Sequence, residues 1–237
     1  LHPFSIVRRM VNAPASQVSI AFGAGGPSFA VSSACASANH ALAQAFGLVR
    51  SGTCDVALAG GTEACITLGV LRAWEAMRVL ADDTCRPFCK QRRGLVLAEG
   101  AGMFVLEDFD HARARGAEIL AEFAGAGMSA DAGDIVLPSD AGAARAIRSA
   151  LDDARLNASD VDYINAHGTG TPANDPTETR AIRKVFGEHA GSLAVSSTKS
   201  MHGHALGAAG ALELVAAIGS LRDQVVPPTA NFLDRSE

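Results

Sequence analysis

The chain has 237 residues, the length of one large domain or two smaller ones, and its 20 Lys and Arg against 25 Asp and Glu leave a net charge of −5. With 48% hydrophobic residues it has material for a core, which excludes a disordered chain, and the acidic balance excludes a generally basic nucleic-acid binder. Ala (46) and Gly (24) dominate over 10 Phe, 1 Trp and 1 Tyr, so backbones can pack closely, as in helices layered on sheets.

Taken in chain order, AVSS at 30–33 predicts a short strand, followed by an Ala-rich helix from about Ala36. DVALAGG (55–61) predicts a buried strand ending in a Gly pair, with a helix near 67–80. AGMFVLE from Ala101 predicts another strand, Asp108–Gly116 a charged helix or turn, and AEILAEFAGAG (117–127) a further strand. Ala141–Arg155 is amphipathic and helical, VDYINA (161–166) a short strand, and Pro176–Val185 a helix with Pro and an acid in its first turn. A last strand and Ala-rich helix follow over AVSS (194–197) and Ala205–Leu221. Strands alternating with helices predict an α/β fold with a mostly parallel sheet.

That last helix is the longest apolar stretch, and Glu213 and several glycines interrupt it before the roughly 18–20 residues of a membrane span. The N-terminus LHPFSIVRRM has no secretory pattern. Five cysteines, at 35, 54, 65, 85 and 89, contain no CxxC pair, which points to a reducing cytoplasm without a disulfide framework. Cys85 and Cys89 have no nearby His to complete a metal site, and Cys54 and Cys65 are expected in the core.

Residues 30–48 and 194–212 match without a gap at an offset of 164, with 9 of 19 positions identical. Two such strand–loop–helix units predict duplicated halves facing each other across a pseudo-two-fold axis. If Ala101 opens the second half, its counterpart lies about 60 residues before Leu1, so the chain reads as a piece of a longer one. The ending DRSE (234–237), without cap or closing strand, reads the same way.

Cys35 stands between a strand and a helix start, where the dipole and free N–H groups stabilise thiolate. That placement suits a nucleophile; a buried packing cysteine is the alternative. His167 ends VDYINA and opens HGTGT, at a strand end where side chains meet ligands. His204, related by the repeat to His40, opens the second Ala-rich helix. Glu213 is the one charged residue between His204 and Arg222; Lys199 is its natural partner, unless Glu213 faces solvent. The basic run at Arg86, Lys90, Arg92 and Arg93 is either a solvated loop or a surface for an acidic partner.

With Cys35 in SSACASA, His167 in NAHGTGT, and Lys199 and His204 in STKSMHGHALGAAG, the sequence resembles the elongating β-ketoacyl-acyl-carrier-protein synthases over essentially its whole length. GPSFAVSSACAS, DVALAGGTEA, RRGLVLAEGAG and LRDQVVPPT add to the likeness. The resemblance implies a thiolase-like α/β fold of two duplicated halves in five αβαβα layers, divided at 1–113 and 114–237. It implies a decarboxylative Claisen condensation between an acyl group on Cys35 and malonyl-acyl-carrier protein, in fatty-acid or related biosynthesis. His167 and His204 would support decarboxylation, Lys199 and Glu213 organise the site, and Thr169 and Thr171 contact the phosphopantetheine arm. Acyl carrier protein and a second copy of the chain would be partners, joined through Pro27–Ser33; no metal, redox cofactor, nucleic acid or membrane insertion is implied.

The sequence departs from the family pattern at Cys89 (commonly Asp) and Ala98 (commonly Gly), which bears on loop packing. The family's GFGG segment, whose Phe supplies an oxyanion-hole N–H, is not in the sequence, so the chain alone is expected to be inactive. Other classes remain: a Cys/His hydrolase or transacylase, a catalytically silent partner subunit, and a metal hydrolase on His202 and His204.

Overall fold

A computed structural model of the chain describes residues 2–235. In order come α1 (Ala13–Phe22), α2 (Ser37–Arg50), β1 (Val56–Glu63), α3 (Leu68–Ala76), β2 (Gly100–Glu107), α4 (Phe109–Ala114), α5 (Asp140–Ala154), β3 (Tyr163–Asn165), α6 (Asn174–Phe186), β4 (Ala194–Ser196), α7 (Lys199–His202) and α8 (Ala209–Asp223). β3 and β4 are parallel, with Tyr163 opposite Ala194. β1 and β2 are antiparallel, with Val56 opposite Glu107 and Glu63 opposite Gly100, so the expected mostly parallel arrangement holds for one pair only. Alternation of apolar residues is the same in both directions, and only the ladder decides between them. The ladder also makes β2 the partner of β1 rather than the opening strand of a second half. No described helix is long and apolar enough to cross a membrane.

Two expected strands are absent. AVSS at 30–33 makes only an isolated bridge, Ser33 with Cys35. The segment 117–127 has no ladder; it lies against α5, where a Cβ on Gly127 would stand 2.0 Å from the Ala146 carbonyl oxygen. Asp153 of α5 accepts the Ala126 N–H at 2.9 Å, taking the bond a neighbouring strand would have made. The helix expected near 67–80 stops at Ala76, and α1 was not foreseen. The last helix starts at Ala209, because His204 gives its N–H to the Val96 carbonyl at 2.7 Å and Leu206 has φ +42°.

The small residues do what their number predicts. α2 lies on β1, burying Leu42, Ala45 and Ala59 against Phe104, Leu106, Phe123 and Leu214, and α8 touches β1, β2 and β3 as well as α2. Such contact demands a bare backbone at Gly61: a Cβ there would lie 2.8 Å from Ala38 Cβ and 2.9 Å from the Gly207 carbonyl oxygen. A second cluster of Ile182, Phe186 and Leu193 packs with Ile147 and Ile164, joining α5 and α6 to β3. Arg50 of α2 pairs with Asp153 of α5 at 2.7 Å.

Because two of the three atoms a Gly61 Cβ would meet are backbone, Gly207 O and Ala208 Cα, Gly61→Ala forces α2 or the Gly207 turn to shift. The expected cost is about 1–3 kcal/mol, read as a lower denaturation midpoint of the intact protein. Gly69→Ala, in open space on α3, is the control expected to leave it unchanged or raise it.

Candidate active site

Cys35 is held by a tight turn just before α2. The Ser37 hydroxyl accepts the Ser33 N–H at 2.8 Å and donates to the Ala34 carbonyl at 2.7 Å. Ala34 itself has φ +45°, a left-handed conformation that costs an alanine about 1–2 kcal/mol. The turn projects the half-buried thiol to 3.0 Å from His204 Nε2. Burial raises the thiol pKa, outweighing the lowering by Lys199 and by the backbone N–H. Burial thus works against the thiolate that the helix start favours.

His204 is 1% exposed, and its backbone is locked to the 96–98 segment, N–H to Val96 O at 2.7 Å and carbonyl from Ala98 N at 3.0 Å. Ala98 also packs on Gly203, where a Cβ would stand 3.0 Å from its own, so this departure from the family pattern lies directly beside the histidine. Burial first, then Lys199 and His202, push the His204 pKa down to about 3. The His167 ring stands edge-on to it, centroids 5.2 Å apart. Its pKa too is lowered well below the ordinary value, by burial, then Lys199 and His204. Both imidazoles are neutral at physiological pH.

Lys199 is fully buried, and its Nζ reaches Glu213 Oε1, the His167 carbonyl at 2.7 Å and His167 Nδ1 at 3.3 Å. An ammonium donates and cannot accept, so His167 Nδ1 is the acceptor and its proton sits on Nε2. Glu213 thus points inward, its side chain 12% exposed, and burial raises its pKa in spite of the ion pair.

Sequence reasoning missed three acids and amides that hold this frame. Glu178 accepts the N–H groups of His167 (2.7 Å) and Gly168 (2.8 Å), and Asp175 accepts those of Phe88 (2.7 Å) and Gly170 (3.1 Å). Asn165 Nδ2 donates to the Glu213 carbonyl at 3.2 Å. Their signal was weak: two acids in the first turns of α6 read as ordinary helix-start residues. Thr169 and Thr171 hydroxyls bond each other at 2.9 Å, with Thr169 only 4% exposed, so Thr171 is the more open to an arriving ligand.

Cys85 and Cys89 are buried, while Cys54 and Cys65 are half-buried rather than core. Arg86 and Arg93 pair locally with Asp83 (2.6 Å) and Asp82 (3.5 Å), and Arg92 bonds the Cys89 carbonyl at 3.1 Å, so the basic run is largely spent on its own loop. Among the described residues, the metal-capable cluster is Cys35, His167 and His204, with ligand atoms within 4.8 Å of each other. The Lys199 ammonium stands behind His167 and donates to its Nδ1, which works against a cation on that ring. His202 does not join His204 in a metal pair: it bonds the Gly203 carbonyl and Thr198 instead.

A strained turn that aims a thiol at two neutral imidazoles, one with its tautomer fixed by lysine, defines a thiol-centred α/β protein. Residues 2–112 match the N-terminal domain of beta-ketoacyl synthase and residues 120–233 its C-terminal domain. The chain belongs to the β-ketoacyl synthase family. It is 58% identical over 229 residues to nodulation protein E of Rhizobium leguminosarum bv. trifolii, covering 97% of this chain and 57% of that protein. It is 45% identical over 238 residues to 3-oxoacyl-[acyl-carrier-protein] synthase 2 of Synechocystis sp., again 97% of this chain and 57% of that one. The fold is thiolase-like: the ishigamide ketosynthase/chain length factor superposes with a TM-score of 0.95 at 36% identity, over 100% of this chain and 58% of that one. AntDE:AntF, a type II polyketide carrier protein in complex with its ketosynthase, gives 0.94 at 36%, over 100% and 60%.

The depressed His204 pKa has a stability consequence. Below about pH 6.5 the unfolded chain protonates this histidine while the folded one does not, so the folded state loses ground as pH falls towards about 3. The stability advantage of wild type over His204→Gln should shrink by about 1.4 kcal/mol per pH unit through that window. Denaturant titrations of both intact proteins at several pH values check this; a pH-independent difference would contradict a neutral buried His204.

Proposed function

We propose that this chain carries the reaction centre of a condensing enzyme that joins an acyl group on Cys35 to a malonyl unit on acyl carrier protein. The observation that carries the reading is the convergence of Cys35 Sγ with His204 and with a His167 whose Nε2 proton is fixed by Lys199. In the first step Cys35 Sγ attacks the acyl thioester of the carrier arm. The S–acyl bond to the arm breaks, and His204 Nε2 relays the thiol proton to the departing sulfur. In the second step the malonyl C–CO2 bond breaks, and its electrons delocalise onto the thioester oxygen. The Nε2–H of His167 donates to that oxygen as charge develops, joined by His204, whose Nδ1 has no partner to fix its tautomer. The enolate carbon attacks the Cys35 thioester, the new C–C bond forms as the acyl C–S bond to Cys35 breaks, and the departing thiolate takes a proton from solvent. No metal or redox cofactor is required.

The higher identity to proteins called nodulation protein E (58% for one) than to those called synthase 2 (45% for one) supports a place beside the former. We propose Thr171 as a contact for the phosphopantetheine arm, and Thr169 as its partner. The unladdered stretch at 27–33, with Phe29 half exposed, supports a homodimer formed through its edge.

Incubating the intact protein with an acyl-carrier-protein thioester should add the acyl mass to the peptide containing Cys35; label on Cys54, Cys65, Cys85 or Cys89 would overturn the assignment. Cys35→Gln should abolish condensation yet still release CO2 from malonyl-carrier protein. His167→Ala and His204→Ala should each cut that release by about 10²–10³. A Cys/His hydrolase would release no CO2 in any variant, and a silent subunit none in wild type. Sedimentation at micromolar concentration should show a dimer of the intact protein, and a monomer would refute the edge pairing.

A further inference from the structure

The condensation chemistry leaves one imidazole of the site loop unused. His202, on the last turn of α7, sits with Nδ1 2.8 Å from the Gly203 carbonyl oxygen and Nε2 3.0 Å from Thr198 Oγ1. A carbonyl only accepts, so Nδ1 carries the proton, and the state of Nε2 is the variable. Thr198 is 2% exposed, and its hydroxyl also lies 3.2 Å from Asn165 Nδ2 and 3.3 Å from Asn165 Oδ1. The second hydrogen of Asn165 Nδ2 goes to the Glu213 carbonyl at 3.2 Å.

With Nε2 bare, every hydrogen has one acceptor and the chain runs in one direction. Asn165 donates to Glu213 O and to Thr198 Oγ1, Thr198 donates to His202 Nε2, and His202 donates to Gly203 O. With Nε2 protonated, the Thr198 hydrogen must turn to Asn165 Oδ1, on the same amide whose nitrogen already donates to that hydroxyl. Thr198 immediately precedes Lys199, and Asn165 holds the α8 turn that carries Glu213. The chain therefore grips both ends of the buried ion pair that sets the His167 tautomer.

We propose that neutral His202 is a positioning residue: through Thr198 and Asn165 it holds Lys199 and Glu213 in the register that keeps the His167 proton on Nε2. The charged groups around it favour the neutral form. Lys199 lies on its own helix and His204 two residues on. Glu213 on α8 is reached from this chain only through the Asn165 bond to its backbone carbonyl, and its carboxylate is taken by Lys199. Among the described residues no carboxylate bonds the His202 ring. Burial first and Lys199 in addition lower its pKa, against the raising effect of the Gly203 carbonyl.

The structural part of this proposal stands alone; its effect on rate rests on the condensing-enzyme reading. In the intact protein labelled with 15N-histidine, His202 should appear by NMR at pH 7–8 as the neutral Nδ1–H form. Its Nε2 resonance should shift in Thr198→Val. An Nε2–H form, or a cation at that pH, would overturn the proposal. CO2 release from malonyl-carrier protein supplies the second readout. His202→Leu should lose about tenfold in kcat with KM unchanged, the worth of one buried hydrogen bond. His202→Gln, whose carbonyl can still accept from Thr198, should stay within about twofold of wild type at pH 8 and extend its acid limb to lower pH. His202→Leu with the wild-type rate and pH profile would overturn the positioning role. Wild-type protein that releases no CO2 would instead sink the condensing reading, and the tautomer measurement would still decide this one.

Discussion

A lysine with no exposure at all is the constraint around which the rest of this structure is arranged. An ammonium taken out of water costs several kcal/mol unless its donors are all used, and Lys199 uses them on a carboxylate, a carbonyl and an imidazole nitrogen. Removing only Glu213 would leave a buried charge uncompensated, a loss of about 3–5 kcal/mol for pairs of this kind. The expense serves chemistry rather than stability, because packed apolar side chains would hold the same space at less cost. What it supplies is direction: a donor on Nδ1 of His167 forces the opposite nitrogen to carry its proton towards Cys35 and His204.

That constraint reaches outward through backbone, not side chains. Glu178 fixes His167 and Gly168 by their N–H groups, and Asp175 ties Gly170 to Phe88, so α6 acts as a bracket for the 167–171 loop. Burial raises the pKa of both acids, against the lowering by the N–H donors. Gly168, at φ +37°, admits this geometry because a Cβ there would lie 2.4 Å from Ser197 Cβ. The same economy of volume at Gly61 lets α2 settle on β1 and deliver Cys35 to the pocket. The high Ala and Gly content is thus what allows the loops that open α2 and precede α8 to meet.

The repeat made part of this legible. An offset of 164 pairs Cys35 with Lys199 and His40 with His204, and the two loops do meet. The lone charge of Glu213 in an apolar helix pointed to Lys199, and the ion pair is there. Strand direction was not legible, since periodicity carries no sign, and β1 with β2 turned out antiparallel. Nor was the work of Glu178, Asp175 and Asn165 legible: their partners are main-chain groups of other segments, which side-chain patterns do not encode. The burial of Cys35 is not legible for a related reason. A helix start can be read from sequence, but the depth at which it is buried cannot, and depth decides the pKa.

That burial bears on what kind of chemistry the pocket favours. A hydrolase using a Cys/His pair gains from a thiolate–imidazolium resting state, with the thiolate as a ready nucleophile and the imidazolium as the acid for the leaving group. Here burial acts on both partners in the opposite sense, raising the thiol and lowering His204 to about 3, so the resting pair is neutral. An imidazole whose pKa is held down to about 3 is a weak base towards water, but its N–H can still donate to an oxygen that becomes negative only in the transition state. Lys199, held to Glu213, adds positive potential without offering a free proton. A half-buried thiol beside two imidazoles whose pKa values are lowered places uncharged donors around Cys35, the arrangement on which the proposed condensation rests.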